Sequence, residues 1–185
     1  LIVAPHTIEA GVVALDKRTG KEVWRSDDVG QHVYSHVTPC VATLRGVEQV
    51  IALGNEDGGR NPPAVISGVD LATGEMLWQI KTWQRYNVPI SQPVRVDDRT
   101  LLFSGGYAIG CFTLKLDRTE DDWAVSYGFK DNRNLNAHLH NPVLYEGVVF
   151  GQSYDKFHER VHNGLVCLNP QTGKPMKIPA RTTVV

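Results

Sequence analysis

Residues 14–24 read Ala-Leu-Asp-Lys-Arg-Thr-Gly-Lys-Glu-Val-Trp, and this stretch decides the fold. It recurs at residues 68–78 as Gly-Val-Asp-Leu-Ala-Thr-Gly-Glu-Met-Leu-Trp. A more divergent copy at residues 167–177 reads Cys-Leu-Asn-Pro-Gln-Thr-Gly-Lys-Pro-Met-Lys. A motif that returns along a chain indicates a repeat architecture in which each copy builds one structural unit.

Each copy has the pattern of a β-hairpin, because apolar residues lead into a short polar turn and resume after it. The glycine of each turn is predicted to have a positive φ, where a side chain would clash. The Asp or Asn that opens the turn is predicted to accept hydrogen bonds from turn N–H groups, supported by the threonine. The predicted turn residues are Asp16, Thr19 and Gly20, then Asp70, Thr73 and Gly74, then Asn169, Thr172 and Gly173.

The tryptophan that follows the turn glycine is predicted to pack between neighbouring sheets. Its side chain is large and apolar and carries a single N–H donor, which suits a buried position beside one acceptor. Trp24 and Trp78 hold this place in the first two copies, and Lys177 holds it in the third.

These residues make the sequence similar to the repeat of the pyrroloquinoline-quinone (PQQ) β-propellers, whose consensus is Ala-x-Asp-x-x-Thr-Gly-Lys-x-x-Trp. The first copy agrees at every specified position. The second departs at the Ala and Lys positions, and the third at the Ala, Asp and Trp positions. The resemblance implies an all-β propeller in which Trp24 and Trp78 dock over the turn glycine of the neighbouring blade.

The blades are marked by openings that end in Pro39, Pro93 and Pro142, at a period of about fifty residues. We expect the end of one blade in residues 1–30, a blade in 31–82, a divergent blade in 83–130 and an incomplete blade in 131–185. Known propellers close with about four to eight blades. We therefore expect about three to four four-stranded blades of a larger, eight-bladed ring, with a complete four-bladed ring as the alternative.

Composition limits the classes of function. The chain has 185 residues, 42% of them hydrophobic, and a formal net charge of −1, which offers no electrostatic basis for binding nucleic acid. No apolar run reaches the length of a membrane span. Cys40, Cys111 and Cys167 lie far apart and are predicted to be buried core residues.

Asn136, His138 and His140 form the most interesting polar cluster, at the start of the last blade. On a strand, the two histidines would share a face and could hold a metal or a polar ligand. Related PQQ-like chains often carry histidines here, so the resemblance supports ligand binding, and His36 holds the comparable place in an earlier blade. Hydrogen-bonded structural residues are the alternative.

Two other patterns are predicted to be loops without a metal. His158, Glu159 and His162 spell the HExxH motif of zinc proteases, but that motif needs a helix, and Asn163-Gly164 would end one. The match is therefore predicted to be coincidental. Residues 55–62 are rich in oxygen ligands but lack the spaced aspartates of a calcium loop, so a solvated turn is expected.

The resemblance leaves the function open between two classes. PQQ dehydrogenases also carry an adjacent cysteine pair, a calcium ion and a catalytic aspartate, whereas this sequence has no adjacent cysteines. We therefore expect a binding or scaffold module of a bacterial cell-envelope protein, periplasmic by resemblance, with a protein or glycan partner and no cofactor. The alternative is part of a PQQ- and calcium-dependent alcohol or sugar dehydrogenase.

Overall fold

The computed structural model describes residues 1–5, 7, 10–26, 29, 36–55, 63–85, 90–107, 109–120, 122–130, 133–153 and 164–177. Within these ranges the chain forms fourteen β-strands and no helix, which confirms the all-β prediction. The same ranges therefore contain no helix of the length and hydrophobicity that crossing a membrane requires.

The strands form four antiparallel sheets that follow one another along the chain, and each strand pairs with its neighbours in sequence. Sheet 1 contains β1 (Ile2–Val3), β2 (Val12–Leu15) and β3 (Glu22–Ser26). Sheet 2 contains β4 (Cys40–Leu44), β5 (Val47–Asn55), β6 (Pro63–Asp70) and β7 (Met76–Arg85). Sheet 3 contains β8 (Val94–Arg95), β9 (Thr100–Gly105), β10 (Gly110–Arg118) and β11 (Trp123–Tyr127). Sheet 4 contains β12 (Val143–Tyr145), β13 (Val148–Ser153) and β14 (Gly164–Leu168).

The last strand of sheet 2 is long. β7 continues past residue 82 to Arg85 and pairs there with Pro63. A register irregularity between Pro63 and Val65 accompanies this last part of the ladder. The strand therefore ends where its partner β6 begins.

The repeated turn has the predicted geometry in all three copies. Asp16 Oδ1 accepts hydrogen bonds from the backbone N–H groups of Arg18 and Thr19, at 3.0 and 2.7 Å. Asp70 makes the corresponding bonds to Ala72 and Thr73 at 2.8 and 2.9 Å, and Asn169 makes them to Gln171 and Thr172 at 2.9 and 3.1 Å. The turn glycines have the predicted positive φ values, which are 72° at Gly20, 79° at Gly74 and 68° at Gly173.

The core lies between successive sheets. Val12, Ala14 and Trp24 of sheet 1 pack with Val50, Ala52 and Val69 of sheet 2. The opposite face of sheet 2 packs Ile51, Ile66 and Trp78 against Leu101, Phe103 and Leu114 of sheet 3. Val94, Leu102 and Cys111 of sheet 3 then pack with Leu135, Val149 and Leu168 around sheet 4. Sheets 2 and 3 thus each use one face for the preceding sheet and the other for the following one.

The two tryptophans occupy these interfaces in different ways. Trp24 lies over the turn of sheet 2, where its Nε1 donates a hydrogen bond to the Leu71 carbonyl at 3.1 Å. Trp78 is buried between sheets 2 and 3, but its Nε1 donates to Gln49 Oε1 of its own sheet at 2.7 Å. The docking over a turn glycine implied for Trp78 is therefore wrong, because the turn of sheet 3 at residues 119–122 contains no Thr-Gly pair.

Candidate functional site

The two predicted histidines lie where the chain passes from sheet 3 into sheet 4. His138 is half-buried and His140 is exposed. Residues 138–140 form a bend, so the shared face that a strand would give the two histidines does not arise here. His36, at the start of sheet 2, is exposed.

Asn136 is a structural residue. Its side chain is completely buried, and its Oδ1 accepts a hydrogen bond from the Gly110 N–H at 3.0 Å. Its Nδ2 donates to the Arg133 carbonyl at 3.0 Å, and its backbone N–H donates to Ser153 Oγ at the same distance. Both ends of the amide are therefore bonded inside the chain, and ligand binding by Asn136 stays a prediction.

Buried serines hold the segment that leads to His138. The Ala137 N–H donates to Ser104 Oγ at 2.9 Å, and Ser104 Oγ approaches the Leu135 carbonyl at 3.2 Å. Ser91 Oγ lies 2.6 Å from the Ser104 carbonyl and 3.3 Å from the Ala137 carbonyl. Ser91 lies in the blade opening that ends at Pro93, and no local pattern marks either serine for this role. These side chains replace the backbone partners that a strand would supply.

An aromatic pair crosses from the β9–β10 loop to this segment. The rings of Tyr107 and His138 meet edge to face, with centroids 4.6 Å apart and an angle of 66° between their planes. Gly106 lies directly under the imidazole, since a Cβ added there would be 2.4 Å from His138 Cγ. The glycine therefore permits the close approach of the histidine, a role that its sequence context leaves undefined.

The residues that precede the three blade-opening prolines are joined by hydrogen bonds. Asn141 Oδ1 accepts from the Gln92 N–H at 2.8 Å, and Asn141 Nδ2 donates to Gln92 Oε1 at 3.3 Å. Gln92 Nε2 donates to the Thr38 carbonyl at 3.1 Å. Corresponding positions of sheets 2, 3 and 4 are thus linked side by side.

Several described segments at this end of the sheets contain no charged residue, whereas Lys130 and Arg133 lie between the end of β11 and the last of these segments. Residues 36–44, 90–94, 101–107, 109–114 and 134–145 contain no Asp, Glu, Lys or Arg. The turn at the opposite end of β9 contains Asp97, Asp98 and Arg99. There Asp97 Oδ2 accepts from Gln171 Nε2 at 2.9 Å, and the Asp98 carboxylate lies 3.5 Å from Arg45 Nη1.

Metal binding receives no support from the described residues, among which no group of three or more His, Cys, Asp or Glu could hold an ion. His158, Glu159 and His162 lie outside the described residues, as does most of the 55–62 loop. The prediction that the HExxH match is coincidental therefore stays a prediction.

Comparison with known proteins identifies the repeat. A family model described as outer membrane protein assembly factor BamB matches residues 3–178. The chain belongs to this BamB-like family of PQQ-type repeats. The crystal structure of BamB from Moraxella catarrhalis is similar at 18% sequence identity, with a TM-score of 0.41, and covers 90% of this chain. The chain spans 54% of the length of that BamB chain. No curated protein matches the sequence significantly.

Because the chain belongs to the BamB-like family, its four sheets are blades of a PQQ-type β-propeller. The number of blades in the ring stays a prediction. The cysteines do not fit the paired arrangement of PQQ dehydrogenases. Cys40 and Cys111 lie on different sheets, Cys167 lies on a third, and all three are free thiols.

Proposed function

We propose that this chain is a binding or scaffold module of a bacterial cell-envelope protein and acts on the periplasmic side of outer-membrane protein assembly through a protein partner. The observation that carries the proposal is the BamB-like family match over residues 3–178. The family is that of an outer membrane protein assembly factor, which supplies the proposed process.

The way the blades are joined supports a scaffold role. Side-chain contacts cross each interface: Trp24 to the Leu71 carbonyl, Gln92 to the Thr38 carbonyl, and Gln92 to Asn141. Apolar clusters fill the same interfaces. Blades held in this way keep their connecting loops in constant relative positions, which is what a surface that binds a protein partner requires.

Genetic complementation tests the proposal. The gene of the full-length protein is deleted in its bacterial host, and the amounts of folded outer-membrane proteins are compared with those in the parent strain by heat-modifiability on gels. A role in assembly predicts that the deletion lowers the amounts of folded outer-membrane proteins and that the wild-type gene restores them. The Trp24→Ala gene should restore them less well, because this variant lacks the Trp24 contact between blades 1 and 2. Unchanged outer-membrane proteins in the deletion strain would contradict the proposed process.

A quinone-dependent oxidoreductase is the alternative function, and a separate experiment distinguishes it. The full-length protein is titrated with PQQ and calcium while its tryptophan fluorescence is followed. The scaffold proposal predicts no saturable quenching. Calcium-dependent quenching at micromolar PQQ would favour the oxidoreductase and contradict the absence of a cofactor.

A further inference from the structure

A cleft lies where the turns of sheets 2 and 3 meet. Its volume is about 650 Å³, which is within the range of small-ligand sites. The described residues that line it are Arg45, Asp98, Arg118, Thr119 and Glu120, and all five are exposed to solvent. Arg45 belongs to the β4–β5 turn of sheet 2, and the other four residues belong to sheet 3 and its turns. The packing of two blades therefore creates a cavity whose described lining is almost entirely charged.

Two of these charges are already paired. The Arg45 N–H donates a hydrogen bond to the Asp98 carbonyl at 2.8 Å, and Arg45 Nη1 lies 3.5 Å from Asp98 Oδ2. These contacts hold the two turns side by side across the interface between sheets 2 and 3. The charges of Arg45 and Asp98 therefore largely compensate each other.

The other two charges have no ion-pair partner among the described residues. The Arg118 guanidinium carbon lies 5.9 Å from the centre of the Trp123 ring, a contact that leaves its N–H donors available. The Thr119 N–H donates to the Asp122 carbonyl at 2.9 Å, and the Asp122 N–H donates to Thr119 Oγ1 at 3.0 Å. These bonds close the turn that carries Glu120. A ligand would find Arg118 and Glu120 on an ordered turn, which lowers the entropic cost of binding.

We propose that this cleft binds a short zwitterionic peptide, with the terminal carboxylate paired to Arg118 and the terminal ammonium paired to Glu120. Within the described lining, these residues supply one unpaired cation and one unpaired anion. A ligand with a single charge would meet a like charge as well as an opposite one, whereas a zwitterion can pair with both. The volume of the cleft suits a peptide rather than a single amino acid. The site is independent of the proposed role in outer-membrane assembly.

Titration of the chain with three tripeptides tests the site. Triglycine carries both terminal charges, N-acetyl-triglycine lacks the ammonium, and triglycine amide lacks the carboxylate. Binding is followed by the NMR shifts of the backbone amides, which should change most around Arg45 and Thr119. We expect a millimolar dissociation constant for triglycine, because exposed ion pairs are weak, and about twofold to fivefold weaker binding of each capped peptide. Unchanged shifts up to about 50 mM triglycine, or equal affinities of the three peptides, would overturn the proposal.

Two variants assign the charges of the cleft to the two ends of the peptide. Arg118→Gln should weaken the binding of triglycine about twofold to fivefold and should not weaken that of triglycine amide, which has no carboxylate to lose. Glu120→Gln should weaken the binding of triglycine by a similar factor and should not weaken that of N-acetyl-triglycine. Equal losses for all three peptides in either variant would overturn the assignment.

Arg18→Gln is the matched control, because Arg18 is an exposed arginine in the turn of sheet 1, outside the cleft. It should bind triglycine as the wild type does. An equal loss in Arg18→Gln would show that net charge rather than the cleft governs binding, and would overturn the proposal. Urea unfolding checks the stability of each variant. If Arg118→Gln is destabilised through its contact with Trp123, Glu120→Gln decides the outcome.

Discussion

The indole of Trp24 lies directly against the backbone of Gly74, and this contact joins sheet 1 to the turn of sheet 2. A Cβ added at Gly74 would be 2.6 Å from Trp24 Cε3. The Trp24 N–H bonds to the Leu71 carbonyl in the same turn. The glycine and the tryptophan of the motif therefore meet across neighbouring copies rather than within one copy.

Replacing Gly74 should destabilise the chain more than replacing Gly20. Both glycines have positive φ, 79° and 72°, so alanine at either position incurs a similar backbone cost of about 1–2 kcal/mol. Only Gly74 lies against an indole, whereas no heavy atom lies within 4 Å of a Cβ built at Gly20. Overpacking should add about 1–3 kcal/mol in Gly74→Ala. Urea unfolding measures both variants, and equal losses of stability would show that the Trp24 contact contributes nothing.

Gly68→Ala should disrupt the interface between sheets 2 and 3. Gly68 is the cross-strand partner of Trp78, and an added Cβ would lie 2.1 Å from Trp78 Nε1 and 2.6 Å from Gln49 Oε1. The substitution should break the Trp78–Gln49 hydrogen bond and cost about 2 kcal/mol or more. Ala14→Gly is the control at the equivalent position opposite Trp24, and should cost only about 0.5–1 kcal/mol. Urea unfolding curves, recorded by tryptophan fluorescence, measure the stability of both variants. Wild-type stability in Gly68→Ala would contradict the predicted clash.

The turn aspartates should make the stability depend on pH in the acid range. The hydrogen bond from the Thr73 N–H, followed by those from the Ala72 N–H and the Thr73 hydroxyl, lowers the pKa of Asp70 from its usual value of 3.8. Hydrogen bonds from Thr19 lower the pKa of Asp16 in the same way. Because the folded pKa lies below the unfolded one, this stabilisation is complete above about pH 5 and is lost as pH falls through the folded pKa.

Asp70→Asn tests this pH dependence, because Asn169 shows that an amide oxygen can accept the same two turn hydrogen bonds. The free energy of unfolding of Asp70→Asn should fall less steeply than that of wild type between about pH 5 and about pH 2. Glu120→Gln, at an exposed turn position, is the control and should follow the wild-type curve. Parallel curves for wild type and Asp70→Asn would refute the role of the charge.

Two cysteines should resist alkylation in the folded chain. Burial raises the pKa of Cys111 to about 12 and that of Cys40 to about 11. The thiolate is the reactive form, so neither should react with iodoacetamide at about pH 8 within the time that a free thiol needs. Mass spectrometry of the intact chain, before and after unfolding in urea, counts the modified cysteines. Rapid modification of Cys111 in the native chain would contradict its burial.

The turns could be predicted from the sequence because their partners are local. Asp16, Thr19 and Gly20 satisfy one another within a few residues, and the same is true of Asp70, Thr73 and Gly74. The prediction for Trp78 failed for the opposite reason. Its environment depends on which turn lies in the next sheet, and that turn has a different sequence.

The sequence by itself determined the hairpin repeat, the all-β class and the order of the sheets, since hydrogen bonds inside a turn and between adjacent strands involve neighbouring residues. Only the tertiary structure decided which polar residues reach the surface. Asn136 and His138 are close in sequence, yet one is buried and the other supports an exposed tyrosine. The groups that separate them, Ser104, Gly110 and Ser153, come from strands of two different sheets. Only packing brings such distant partners together, and no local pattern records it.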